Sequence, residues 1–171
     1  YVISIDSDDI IATRDLDFDT SNITLITCNA SSHEVIKNWK GKILWTPYYA
    51  IDKELRPKVR KKLGRVTPMG GNTFTSAVSL AYDVWDARIF IFVANEMCYD
   101  DQYYAHQKSK WEQDGITHFH VKDINGKDRY TNIPLYQYKV WLEKFVTLVE
   151  GCTIIDTSFG ILGTDSDRIT H

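Results

Sequence analysis

The chain has 171 residues, of which 43% are hydrophobic, 25% charged and 13% aromatic. That length suits one domain with a real core, and so many large apolar side chains exclude general disorder. No apolar run reaches the ~18 residues that a membrane span needs. A net charge of −3 excludes the strongly basic face of most nucleic-acid binders.

Cys28, Cys98 and Cys152 are odd in number and far apart, with no CxxC. A disulfide framework or zinc ribbon is not expected, and a reducing, cytoplasmic setting is.

Taken in order, the chain alternates short apolar runs with amphipathic stretches. It opens on YVISID, which reads as a buried strand over Tyr1–Ile5, with further strands at Ile23–Thr27 and Lys42–Trp45. Ser31-Ser32-His33-Glu34 reads as a capping box, and Val35, Ile36 and Trp39 follow at helical spacing. The segment Arg56 to Arg65 (RPKVRKKLGR) is dense in Arg and Lys. Its plain reading is a solvated helix face; its functional reading is a phosphate contact. A Gly-Gly turn then feeds a helix over Thr73–Trp85, with Phe74, Ala77, Val78, Ala81 and Trp85 on one face.

Arg88–Val93 is the most hydrophobic strand, and Asp101 to Gln113 reads as a surface helix. Asn125-Gly126 is a two-residue hairpin signal, placing an inserted β-hairpin near 119–131. Pro134 starts a helix whose expected apolar face is Tyr138, Trp141, Leu142, Phe145 and Leu148. Thr153–Ile155 is a last strand. Strands apolar on both faces belong to parallel sheets covered by helices. The expected fold is therefore α/β: one Rossmann-like three-layer sandwich over 1–171, with a mostly parallel sheet. The chain opens directly on a strand and ends GILGTDSDRITH, so a fragment of a longer protein is expected.

Several groups offer chemistry. Gly70, Gly71 and Asn72 lead into Thr75 and Ser76 at a helix start, where free N–H groups favour phosphate. An ordinary capped turn is the competing reading. Asn95 and Glu96 follow the apolar strand, at the edge where open sheets bind ligands. One of Asp100 and Asp101 is expected to cap the next helix. Asp6 ends the first strand, with Asp8 and Asp9 in a loop read as solvated. His118 and His120 share a strand face, and a structural pair is preferred to a metal site.

The string FTSAVSLAYDVWDARIFIFVANEMCY resembles a turn, small-residue helix and apolar strand followed by Gly-x-Asp-hydrophobic-x-Tyr. That pattern is similar to the domain of MptE-like 6-hydroxymethylpterin pyrophosphokinases and of the motility-accessory-factor glycosyltransferase-like proteins. A more distant resemblance is to the family 42 sialyltransferases. YVISID, RYTNIPLYQYKVWLE and TIIDTSFGILG extend the likeness over nearly the whole chain. The resemblance implies nucleotide contacts at Thr75, Ser76 and Ala77, a ligand-side acid at Glu96 and a polar contact at Asp6. It departs at Ala94, where the family has Gly, and at Glu96, where it has Asp. The family's N-terminal phosphate-binding turn would precede Tyr1, and no His stands at Arg129-Tyr130-Thr131, where a sialyltransferase would carry one.

The expected function is that of a nucleotide-dependent transferase, glycosyltransferase-like, binding a nucleotide or nucleotide sugar at the C-terminal edge of the sheet. Glu96 and Asp6 are the expected catalytic acids. Gly70, Gly71, Asn72, Thr75, Ser76 and Asn95 would hold the nucleotide. Tyr99, Tyr103 and Tyr104 would contact the leaving group or acceptor, which is a glycan, a protein or a pterin. The alternatives are pterin pyrophosphokinase-type transfer from ATP with Mg²⁺, and a non-catalytic domain binding a nucleotide or partner on the same fold.

Overall fold

The computed structural model describes residues 1–9, 17–46, 70–100 and 117–171. The chain divides into two compact units, Tyr1–Val84 and Trp85–His171. Its class is mixed α/β, with small parallel and antiparallel sheets.

In the first unit, β1 (Val2–Ile3), β2 (Leu25–Thr27) and β3 (Ile43–Trp45) pair in parallel in that order. Their register sets Val2, Leu25 and Ile43 in one row. That row packs against Val35 and Trp39, contributed by and just after α1 (His33–Asn38). The Trp39 indole donates to the Ile23 carbonyl at 3.0 Å, so a large ring is buried with its polar atom satisfied. The helix cap falls one residue later than the capping-box spacing suggests. Ser32 Oγ accepts from Val35 N at 3.2 Å, whereas Ser31 Oγ donates to Ser4 O and accepts from Cys28 N. Ser31 is drawn away because the ends of β1 and β2 offer it both a donor and an acceptor.

α2 (Thr73–Trp85) buries Thr75, Ser76, Val78, Ser79 and Leu80. This face is rotated from the apolar one expected: Trp85 is exposed, and Phe74, Ala77 and Ala81 are only partly buried. Small hydroxyl residues allow close packing along the helix, which hydropathy alone does not reveal.

In the second unit, β4 (Ile89–Phe92) pairs in parallel with β7 (Thr153–Asp156). Between them in sequence lies the expected hairpin, β5 (His118–Lys122) antiparallel to β6 (Asp128–Asn132). Its turn is longer than a two-residue one. Asp123 N donates to Lys127 O, and Asp123 Oδ1 accepts from Asn125 N and Lys127 N. Only Gly126 of the Asn-Gly pair takes a positive φ, of 78°. Two-faced strand burial holds for β2 but not for β4, where Ile89 and Ile91 are exposed and Phe90 and Phe92 buried. All three cysteines are free thiols. No helix among the described residues is long and apolar enough to cross a membrane. The basic run Arg56–Arg65 and the expected Asp101–Gln113 helix lie outside the described residues.

α3 (Ile133–Leu148) starts directly after β6, with Asn132 as its cap and Pro134 in its first turn. Its buried residues are Lys139, Leu142, Glu143 and Val146, and Leu148 is exposed. The expected apolar face is therefore displaced by one containing a charged pair. Lys139 Nζ donates to Glu143 Oε2 at 2.8 Å and also to Asp165. Glu143 Oε1 accepts from Gly163 N at 2.8 Å. Burial opposes the Lys139 charge, but Asp165 and Glu143 outweigh it and raise its pKa. The cluster ties the C-terminal segment to α3.

Removing one partner of a buried pair strands the other. Lys139→Met should lower stability by about 3 kcal/mol, read from urea denaturation. Glu143→Gln should lower it less, since an amide oxygen still accepts from Gly163 N and Asp165 still holds Lys139.

Candidate functional site

Parallel pairing sets the C-terminal ends of β4 and β7 side by side, with Phe92 opposite Asp156. Thr157 continues the contact, its N and Oγ1 both donating to Phe92 O, at 2.9 and 2.8 Å. Beyond this point the two segments part and line an open pocket of about 330 Å³. Val93 and Glu96 come from one side, Thr157, Ser158 and Phe159 from the other, and Arg129 from β6.

Glu96 sits on a tight elbow. Ala94 and Met97 on either side of Asn95-Glu96 both have left-handed backbone, with φ of 55° and 54°. Such a conformation costs a non-glycine residue about 1 kcal/mol or more. Other bonds hold the elbow in place. Thr131 Oγ1 donates to Met97 O at 2.8 Å, and Tyr99 exchanges two backbone hydrogen bonds with Tyr130. Ile161 N donates to Glu96 O at 2.9 Å.

The charges are paired across the pocket. Arg129 Nη2 meets Glu96 Oε2 at 2.5 Å, and its Nε lies 3.4 Å from Asp100 Oδ1. Asp100 is also paired with Lys127 at 3.1 Å. The Arg129 side chain is only 13% exposed, so its charge depends on these neighbours. Burial opposes that charge, yet its pKa is raised on balance. Cys98 is also beside it, but burial pushes that thiol up to about 11, so it is neutral at pH 7. The carboxylates of Asp100 and Glu96 therefore carry the compensation. A fixed guanidinium next to a half-exposed carboxylate can bind an anionic group and accept a proton or hydrogen bond beside it.

Asp156 immediately precedes the lining residues Thr157 and Ser158 and is 1% exposed. Its Oδ1 accepts from Ser158 N and Ser158 Oγ at 3.0 and 2.7 Å, while its Oδ2 has no hydrogen-bond partner among the described residues. Burial pushes its pKa up, against the Ser158 bonds.

The second unit thus brings Asn95, Glu96 and Tyr99 onto one loop. Asn95 Nδ2 is buried and has no hydrogen-bond partner among the described residues. Tyr99 is buried, its hydroxyl bonded to His118 Nδ1. His118 and His120 lie on one strand face as expected, with the His120 and Tyr130 ring centroids 4.3 Å apart and the planes tilted by 45°. Tyr103 and Tyr104 lie outside the described residues.

Asp6 and the Gly70–Ser76 turn belong to the first unit. Asp6 Oδ1 accepts from Asp8 N in a local turn, and Asp9 accepts from Ser32 Oγ. Asn72 caps α2, its Oδ1 accepting from Thr75 N at 2.8 Å. Thr75 and Ser76 are fully buried, and both hydroxyls bond back to Asn72. Gly70 and Gly71 precede this cap, and Gly71 is exposed. Among the described residues no three His, Cys, Asp or Glu gather as a metal site.

Sequence reasoning missed Arg129, Asp100 and the Thr157–Phe159 wall as parts of one site. The hairpin signal held part of that information. A register pairing Val121 with Arg129 sends Arg129 to the face opposite His118 and His120.

The raised pKa of Asp156 sets a sign. Its protonated form suits the fold, so its contribution is full at low pH and is lost as pH rises from the ordinary carboxylate range through the raised value. Urea midpoints of Asp156→Asn and the parent, compared from ~pH 3 to ~pH 8, should show the parent losing ground to the variant through that window and no further change above it.

No family model, curated protein or solved structure matches the chain.

Proposed function

We propose that the chain is a nucleotide-dependent transferase of glycosyltransferase-like type, and that Glu96 and Arg129 work at its reacting centre. The observation that carries this reading is the Glu96–Arg129 pair inside a pocket at the C-terminal ends of two parallel strands. Ligands of open α/β sheets bind at that edge. The same edge is where a Rossmann-like three-layer sandwich, the finer form of this fold, would take its nucleotide.

In this reading Arg129 meets the negative charge that builds on the leaving phosphate. Glu96 spends Oε2 on Arg129 and offers Oε1 to the acceptor hydroxyl, as a general base. The left-handed backbone of Ala94 supports the resemblance, because glycine, which the similar family has there, favours that conformation. In the first unit, the Thr75 and Ser76 hydroxyls expected to hold the nucleotide are spent on Asn72.

A thermal-shift panel of CMP, CDP, UDP, GDP, ADP, ATP and nucleotide sugars, with and without Mg²⁺, tests the reading. A nucleotide present at about 100 times its Kd stabilises by about 2.7 kcal/mol. A metal-independent shift with a cytidine or uridine nucleotide supports glycosyl transfer. A shift only with ATP and Mg²⁺ moves the reading to pyrophosphoryl transfer, and no shift at all sinks both. With a donor in hand, Glu96→Gln should cut turnover about 100-fold or more and change donor affinity only a few-fold.

A further inference from the structure

The Glu96 elbow has a second feature that its own sequence does not contain. Residues 159–161 cross directly behind it. A Cβ built on Gly160 would stand 2.5 Å from Glu96 C, and closer still to Glu96 O and Cα. These are backbone atoms, which cannot swing aside as a flexible side chain does. The crossing is stitched on both flanks. Ile161 N donates to Glu96 O at 2.9 Å, and Ile124 N donates to Gly160 O at 3.0 Å. Gly160 therefore touches the elbow carrying Glu96, the hairpin carrying Arg129 and the wall carrying Phe159.

We infer that Gly160 is a positioning residue: its missing side chain lets the strap press on the elbow and sets Glu96 against Arg129. The strained backbone fits this role. Two left-handed non-glycine residues flank Glu96, and strain of this kind persists only where surrounding contacts over-determine the backbone. The strap supplies that restraint. An added methyl displaces the Glu96 backbone, and a carboxylate paired at 2.5 Å does not keep its partner through such a shift. Ala94→Gly acts in the opposite direction, giving the elbow freedom to yield. The inference rests on the proposed site for its functional meaning, but its structural content stands apart from any ligand.

The test uses the whole chain and two readouts. The first is the resonance of the Arg129 Nη2 protons, which face the Glu96 carboxylate and report it without any ligand. Glu96→Gln should shift that resonance in the parent and leave it nearly unmoved in a Gly160→Ala background. An equal shift in both backgrounds overturns the inference. The second is UDP binding, which Gly160→Ala should weaken about tenfold or more, beyond the few-fold effect of Glu96→Gln because it also shifts the pocket wall carrying Phe159, while circular dichroism stays native. Unchanged UDP affinity in that variant also overturns it. If UDP fails to bind the parent, the uridine form of the transferase reading falls, and the resonance still decides for Gly160.

Should Gly160→Ala not fold, Gly160→Ala with Ala94→Gly should restore the fold without restoring the Glu96-dependent shift. Amide exchange of the unaltered chain gives an independent measure. Ile161 N–H should exchange at least 100-fold more slowly than the same amide in an unstructured peptide, and exchange at a similar rate counts against a fixed strap.

Discussion

Two stretches of main chain meet where residues 159–161 pass behind Glu96, at a separation that leaves no room for a side chain on Gly160. Much of the second unit depends on that contact. The elbow after β4 and the turn of the hairpin are each hydrogen-bonded to this one strap, which continues the wall after β7. Close-packed interiors transmit a displacement rather than absorbing it. A shift at the crossing would therefore reach Glu96, Phe159 and the hairpin together.

Charge follows the same logic of restraint. Arg129 is mostly buried, and a buried guanidinium is tolerable only with carboxylates beside it. Glu96 and Asp100 meet that need, so part of the site's ionic character is already required by folding. Lys139 repeats the solution on α3, with Glu143 and Asp165 in the same roles. The Lys139 cluster also anchors the segment that follows the strap, through Gly163 N. The chain thus uses buried ion pairs, rather than apolar contacts alone, to hold its C-terminal segment in place.

The parts legible in the sequence were those set by local patterns. Apolar runs located β1, β2, β3, β4 and β7, and Asn125-Gly126 located the hairpin between β5 and β6. Helix faces were read less well. Lys139 and Glu143 look solvent-facing in one dimension and become interior only because each neutralises the other. Thr75, Ser76 and Ser79 look neutral in hydropathy, yet fill the buried side of α2. Glu96 was found because it follows the most apolar strand. Its partner Arg129 lies 33 positions away, on a return strand whose register depends on the turn. Gly160 had no local signal at all, since the requirement for glycine there comes from a backbone distant in sequence.

The nesting of the second unit also orders its assembly in time. The hairpin between β5 and β6 closes over a short turn, which is quick for a chain to find. The pairing of β4 with β7 joins segments as distant as Phe92 and Thr157, 65 positions apart. Long loops close late because their entropy must be met before any contact repays it. With the hairpin and α3 already formed inside it, the effective loop is much shorter. The pocket lies at the mouth of this last closure, so a newly made chain would acquire its Glu96–Arg129 pair only as the unit finishes folding.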